Sequence, residues 1–243
     1  RFNAGQAQSR VSDTELGPAG RILAGTSATL TAGRDLRFAG GQLASGGDAS
    51  LAVGRDLELG TAAKRTDAAS SGHGGATAFQ REVQGGSIVN TAGGLSLAAG
   101  NDLTVTGSAA TAGTTLTASA GRAMTVQAAK DVESGQVAFS DGDGGSTGSF
   151  RRETVKGSSL SAGQDVTLTA GINQSADLTV TASRITSTAG AASLAASGNV
   201  TLGSEQQNSS SESHTWGASS GFLSSRSSDS KEANSSSFNW ASA

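Results

Sequence analysis

The chain has 243 residues, with 17 Lys and Arg against 20 Asp and Glu for a net charge of −3, 35 Gly, one Pro, no Cys and no Tyr. That balance gives no electrostatic case for nucleic acid or an anionic membrane surface, and zero cysteines exclude a disulfide framework and a thiolate metal site. Charged residues at 15% and aromatics at 4% leave few large side chains for one thick core, so stability has to come from short repeats that each bury a few aliphatics against like neighbours.

No apolar run approaches the ~20 residues of a membrane-spanning helix, and Arg1-Phe2-Asn3 opens no signal-peptide pattern. The sequence therefore reads as a fragment of a longer protein, one body over residues 1–243 whose residues 1–17 are the returning arm of an excursion. The first repeat motif, Ala32–Phe38, is small-Gly-x-Asp followed by an apolar-polar-apolar triplet. It recurs at Val53–Leu59, Ala99–Val105 and Ala162–Leu168, with looser copies at Ala120–Val126, Gln174–Val180 and Ala196–Leu202. The first triplet positions are Leu36, Leu57, Leu103, Met124, Val166, Leu178 and Val200, and the third are Phe38, Leu59, Val105, Val126, Leu168, Val180 and Leu202, with a polar residue always between them. Such alternation marks a strand with one buried and one wet face, and Leu36 through Val200 are the expected core ladder.

The acid position of the motif is a marker: Asp35, Asp56, Asp102, Ala123, Asp165, Asp177 and Asn199. Most steps are close to 21 residues or twice that, and the short step from Asp165 to Asp177 is a departure. A leucine-type residue five places before the marker (Leu30, Leu51, Leu97, Leu160, Ile172, Leu194) adds a second strand to each unit. One unit cannot close a core, but it fits a rung of a parallel β-helix, with rungs ~4.8 Å apart. Seven to nine rungs would make a body about 35–45 Å long. The Asp and Asn markers Asp35, Asp56, Asp102, Asp165, Asp177 and Asn199 are then turn positions that bond nearby backbone amides, with a ladder of bound cations as the other reading.

Between the rungs, residues 61–84 and 133–156 answer each other: Gly72-His73-Gly74-Gly75-Ala76-Thr77 and Gly142-Asp143-Gly144-Gly145-Ser146-Thr147, each followed by Phe, Arg and Glu. Residues 204–240 form a third, serine-rich segment around His214-Thr215-Trp216 and Gly221-Phe222-Leu223. These are expected to be β-hairpin excursions, which makes the fold class all-β: a right-handed parallel β-helix, or solenoid, with protruding hairpins. Nearly all aromatics fall in or beside them. Phe79, Phe150, Trp216 and Phe222 either cover a face of the helix or form a contact surface for a partner.

Little in the sequence points to catalysis. Gly-x-Ser-x-Gly occurs around Ser146 and Ser219, but in Gly/Ser-rich excursions rather than on the strand-turn-helix that the motif needs. His73 and His214 are the only histidines and have no zinc spacing. Asp141-Gly142-Asp143-Gly144 begins like a calcium loop, yet Gly145 and Arg152 stand where further carboxylates belong. The acids are spread about one per rung, as on a scaffold, so no catalytic, metal or cofactor site and no small-molecule substrate is expected.

The rung sequence Ser158–Leu168 and the serine-rich Ser209–Ser225, with its His-Thr-Trp-Gly and Ser-Gly-Phe-Leu-Ser stretches, resemble the haemagglutinin repeats of filamentous-haemagglutinin-type exoproteins of two-partner (type Vb) secretion. The likeness is greatest to the second haemagglutinin-repeat region of contact-dependent growth-inhibition effectors. It implies export through an outer-membrane two-partner transporter, a secreted or cell-surface, outer-membrane-associated location, and a structural segment that supports cell contact and toxin delivery across a target cell's outer membrane. The competing readings are a host-directed adhesin or haemolysin segment and a carbohydrate-active β-helix enzyme.

Overall fold

In the computed structural model, residues 7–141, 143–221 and 224–240 are described, and they are strands and turns without a helix. After β1 (Gln8–Thr14), a first coil is made by β2 (Arg21–Ala24), β3 (Ala28–Ala32) and β4 (Leu36–Ala39). The second coil is β5 (Gln42–Ser45), β6 (Ala49–Val53) and the start of β7 (Leu57–Gly72), which runs on past the coil and returns as β8 (Gly75–Gly86). Coil three is β9 (Ile88–Thr91), β10 (Leu95–Ala99) and β11 (Leu103–Thr106). Coil four is β12 (Ala109–Ala112), β13 (Leu116–Ala120) and β14 (Met124–Gln127), followed by the long β15 (Ala129–Ser140) and β16 (Gly144–Lys156). Coil five is β17 (Ser159–Ala162), β18 (Val166–Ala170) and β19 (Leu178–Thr181). Coil six is β20 (Arg184–Ser187), β21 (Ala192–Ala196) and β22 (Val200–Gly203), followed by β23 (Glu205–Gly221) and β24 (Ser224–Trp240).

Like strands of successive coils pair in parallel and in register. They form three walls, β2-β5-β9-β12-β17-β20, β3-β6-β10-β13-β18-β21 and β4-β7-β11-β14-β19-β22, a β-helix-like solenoid of six coils rather than seven to nine. The inward positions stack like on like. In the third wall Leu36, Leu57, Leu103, Met124, Leu178 and Val200 form one column. Leu57, Leu103, Met124 and Leu178 are buried, while Leu36 is half-buried and Val200 is 45% exposed, because a terminal coil has a neighbour on one side only. Coil four carries Ala110 and Ala118 where its neighbours carry Val89 and Leu160, or Leu97 and Leu168. The chain's single methionine, Met124, lies in that coil, where an unbranched, adaptable side chain fills the room the alanines leave.

Val166 is not in this column. It stands in the second wall between Leu116 and Ala192. The motif recurs here at the corner between the first and second walls, where residues 46–48 stand in coil two, and the turn between β18 and β19 is lengthened to residues 171–177, whereas the corresponding turns elsewhere have three residues, such as 100–102. Asp165 and Asp177 therefore lie on two corners of one coil, and counting both as rungs inflated the rung number. The same shift puts Leu160 in the first wall and leaves Ile172 on the turn, 59% exposed.

One corner, from the third wall to the first, differs from coil to coil. In coils one, three and five it is two residues, Gly40-Gly41, Gly107-Ser108 and Ala182-Ser183, the first of each with positive φ (69°, 53° and 44°). In coils two, four and six it opens into the antiparallel strand pairs β7–β8, β15–β16 and β23–β24. The pairs join edge to edge through β8–β15 and β16–β23, and β1 pairs with β7. The result is one antiparallel sheet, β1-β7-β8-β15-β16-β23-β24, continuous with the third wall through β7. The spacing explains the alternation: two coils advance about 9.6 Å, and two strands are about 9.6 Å wide. A strand pair on every second coil therefore fills the length of the body without gap or overlap.

Candidate contact surface

The corners of the body are held by polar side chains that reach to the next coil. Oδ1 of Asp35 accepts the Asp56 N–H at 3.3 Å, Asp56 that of Asp102 at 3.3 Å, Asp102 that of Ala123 at 3.1 Å, and Asp177 that of Asn199 at 2.7 Å. On the neighbouring corner Asp48 accepts from Gly94 and Asp165 from Ala191, both at 2.7 Å. Each acid thus clasps an amide one coil away rather than closing a local turn. Arg55 and Arg122 grip Asp35 and Asp102 through Nε and Nη2, and this bond from Arg55 holds the Asp35 carboxyl below its ordinary range. At the variable corner Ser87, Ser108, Ser158 and Ser183 form a buried column. The hydroxyls of Ser108, Ser158 and Ser183 accept the N–H of the serine one coil before, and Ser158 donates to the Gln127 carbonyl at 2.6 Å. Sequence reading missed this column. Its signal was a serine directly before or within two residues of each first-wall apolar position from coil three onward.

The antiparallel sheet is stitched at its base. Lys130 lies 2.7 Å from Glu205 and 3.5 Å from Glu153, linking β15, β16 and β23. Lys156 pairs with Asp131 at 3.0 Å and donates to the Gln84 carbonyl at 2.9 Å, and Asp131 accepts the Gln84 N–H at 2.7 Å. Val155 N–H reaches Gln207 Oε1 at 3.2 Å. Burial pushes the Glu153 carboxyl up, but Lys130 and Arg151 outweigh it and hold the group below the ordinary range. The hydrogen bond to Glu205 raises Lys130.

Farther out, one face of the sheet carries Phe79, Gly135 and Phe150 in a single cross-strand row, with Thr77, Val137 and Gly148 in the next row and Phe139 beside Ser146 beyond it. A Cβ on Gly135 would overlap the Phe150 ring, so the ring lies across the strand where only glycine leaves room. Phe79 is half-buried, and Phe150, Val137 and Phe139 are 42%, 48% and 47% exposed. Arg81 and Arg152 flank Glu133 on the same face, one row nearer the body. On the other face the Trp216 ring covers Gly145, its centroid is 5.2 Å from that of His214, and His214 Nε2 is 2.5 Å from Asp229 Oδ1. The sheet therefore brings Phe79 and Phe150 together and places Trp216 on the reverse side. Phe222 lies outside the described residues. Ser146 sits in mid-strand between Phe139 and Thr215, and Asp141 Oδ1 accepts the Gly144 N–H at 2.9 Å to close the β15–β16 turn. Among the described residues no cluster of three or more His, Asp or Glu is placed to hold a metal ion.

The hemagglutinin-repeat family model matches three times, over residues 1–75, 61–142 and 139–239. The chain belongs to the hemagglutinin-repeat family. The first two matches end at the turns of β7–β8 and β15–β16 and the third ends within β24, so the first two boundaries fall at the outer ends of strand pairs. No curated protein and no solved structure matches the chain. Hemagglutinin repeats are structural, adhesin-type modules of large, typically secreted or cell-surface bacterial exoproteins.

Proposed function

We propose that this stretch of hemagglutinin repeats is a stiff, right-handed segment of a bacterial exoprotein exported by two-partner secretion, and that its antiparallel sheet is the surface that meets a target cell. The growth-inhibition reading, in which the segment helps to carry a toxin across the target's outer membrane through contact with that membrane, rests on the sequence likeness alone. Right-handedness is the usual sense of parallel β crossovers. The contact reading is supported by a division of labour: acids and serines at the corners are spent on coil-to-coil bonds, whereas the exposed Phe150, Val137 and Phe139 hold nothing inside the body together. Exposed aromatic clusters of this kind carry binding energy. Nearest-neighbour stacking also suits a chain that folds as it emerges, each coil templating the next.

The test is the full-length exoprotein carrying Phe139→Ser and Phe150→Ser. Export and surface display, followed by antibody labelling of intact cells, should be unchanged, while attachment to target cells or delivery of cargo falls. Unaltered attachment and delivery would remove the contact role from this face.

A further inference from the structure

The apolar face of the antiparallel sheet is patterned on β8, β15 and β16, strands that each have a neighbour on both sides. One cross-strand row reads Phe79, Gly135, Phe150, large-small-large. The next on this face is Thr77, Val137, Gly148, and the one after it is Gly75, Phe139, Ser146, small-large-small. Charges of opposite sign stand beyond these rows. Arg81, Glu133 and Arg152 lie on the side of the body, and Asp141 and Asp143 lie at the β15–β16 turn. Among the described residues the side chains of Arg81, Glu133, Arg152 and Asp143 make no hydrogen bond or ion pair, and Asp141 spends Oδ1 on the turn amides of Asp143 and Gly144.

We propose that this face binds the same face of a second copy of the chain, about a two-fold axis that passes over Val137 at right angles to the strands. The rotation lays each strand on its own counterpart with its direction reversed, so every contact is made twice. Val137 meets Val137, and Phe139 lands on Gly135 of the second copy, between that copy's Phe79 and Phe150. Phe79 and Phe150 in turn come over Gly75 and Ser146, so large meets small on all three strands. The place that Phe150 enters is a hollow of about 730 Å³ beside Phe139 and Ser146, floored by Gly145 and Gly217. Asp141 and Asp143 come over Arg81, Glu133 and Arg152, two acids against a row of net positive charge. Face-to-face sheets pack about 10 Å apart with their strands within about 30°, which leaves such opposed rows the depth they need. From the row of Glu133 to that of Asp141, across β7 to β23, the face measures about 30 Å by 24 Å. That is about 700 Å² on each copy, close to the ~800 Å² per partner of a specific interface. Such pairing goes beyond the contact role, because a target cell has to displace the second copy from the same side chains.

The experiment exchanges the two charges in the whole chain. Sedimentation equilibrium should find the unaltered chain in a monomer–dimer equilibrium. Arg152→Asp and Asp143→Arg should each weaken the dimer about tenfold or more, since each sets like charge against like at both ends of the interface. An equimolar mixture of the two variants should dimerise again, because the reversed charges then face each other. Both positions are exposed and hold no bond within the sheet, so circular dichroism should be unchanged. The chain has no cysteine, so a short bis-maleimide should join Val137→Cys, on the axis, to itself. It should not join Gln136→Cys, which is exposed on the opposite face. A chain that is monomeric at every concentration would overturn the pairing, as would charge variants that dimerise like the unaltered chain or a mixture no better than its parts. Cross-linking through Gln136→Cys rather than Val137→Cys would overturn it too. All of these readouts use the purified chain in solution, so they stand or fall apart from attachment to cells, which tests the contact role.

Discussion

At the scale of single residues, the body depends on columns in which each side chain is sealed by its counterparts above and below. Leu103 lies between Leu57 and Met124 and is fully buried. Leu103→Ala should cost about 2–5 kcal/mol, the range for emptying a packed leucine site. Leu103→Asp, which buries an unpaired charge, should abolish the cooperative thermal transition followed by circular dichroism, and an unchanged melt would contradict its inward place. Gly107→Ala tests the variable corner. Its positive φ and a new Cβ against the Ala129 side chain should lower stability by about 1–2 kcal/mol in denaturant titrations. The alternation that marks Leu103 and Val105 was legible because one wet face and one dry face leave a period-2 trace in any strand. The register of Val166 was not, because the same small-Gly-x-Asp letters serve two corners of a coil, and Asp165 stands at the corner of Asp48 rather than at that of Asp102. Nor was the serine column, since a buried serine and a loop serine look alike until the amide one coil away is known.

At the scale of elements, the base of the antiparallel sheet responds to pH in both directions. Glu153 has its folded-state pKa lowered, so its contribution is present above the ordinary glutamate range and is lost as pH falls through the folded value. Lys130 is raised, so its contribution is present below the ordinary lysine value and disappears as pH rises through the folded one. Stability should therefore hold through the neutral range and decline at both ends. Lys130→Met should flatten the alkaline decline and weaken the protein near neutrality, where Glu153 loses its main partner. Chemical denaturation at several pH values measures this, and an alkaline limb identical to that of the unaltered chain would refute it. The matching Gly-rich centres of residues 72–77 and 142–147 made two excursions legible as related segments. Their edge-to-edge union was not legible, because pairing between β8 and β15 depends on how far apart the coils hold them, and no local pattern records that distance.

At the scale of the whole molecule, parallel walls and an antiparallel sheet share one axial spacing, and the strand pairs recur on alternate coils because two strands are as wide as two coils are tall. A chain so built can lengthen by whole repeats, which suits a stiff exoprotein carrying a continuous flank of side chains along its length. The repeat is therefore two coils and a strand pair, a unit larger than the 21-residue motif that announces it. Deleting residues 87–107, one full coil, would bring β7–β8 and β15–β16 out of adjacent coils, about 4.8 Å apart instead of about 9.6 Å. Amide hydrogen exchange on that variant is the most direct test. Protection should persist at Leu51 and Leu116 in the walls and be lost along the β8–β15 seam, at Ala76 and Ala138, whose amides cross it in step with the Ser140 N–H to Gly74 carbonyl bond, whereas a seam as protected as in the unaltered chain would contradict the shared spacing on which the fold is built.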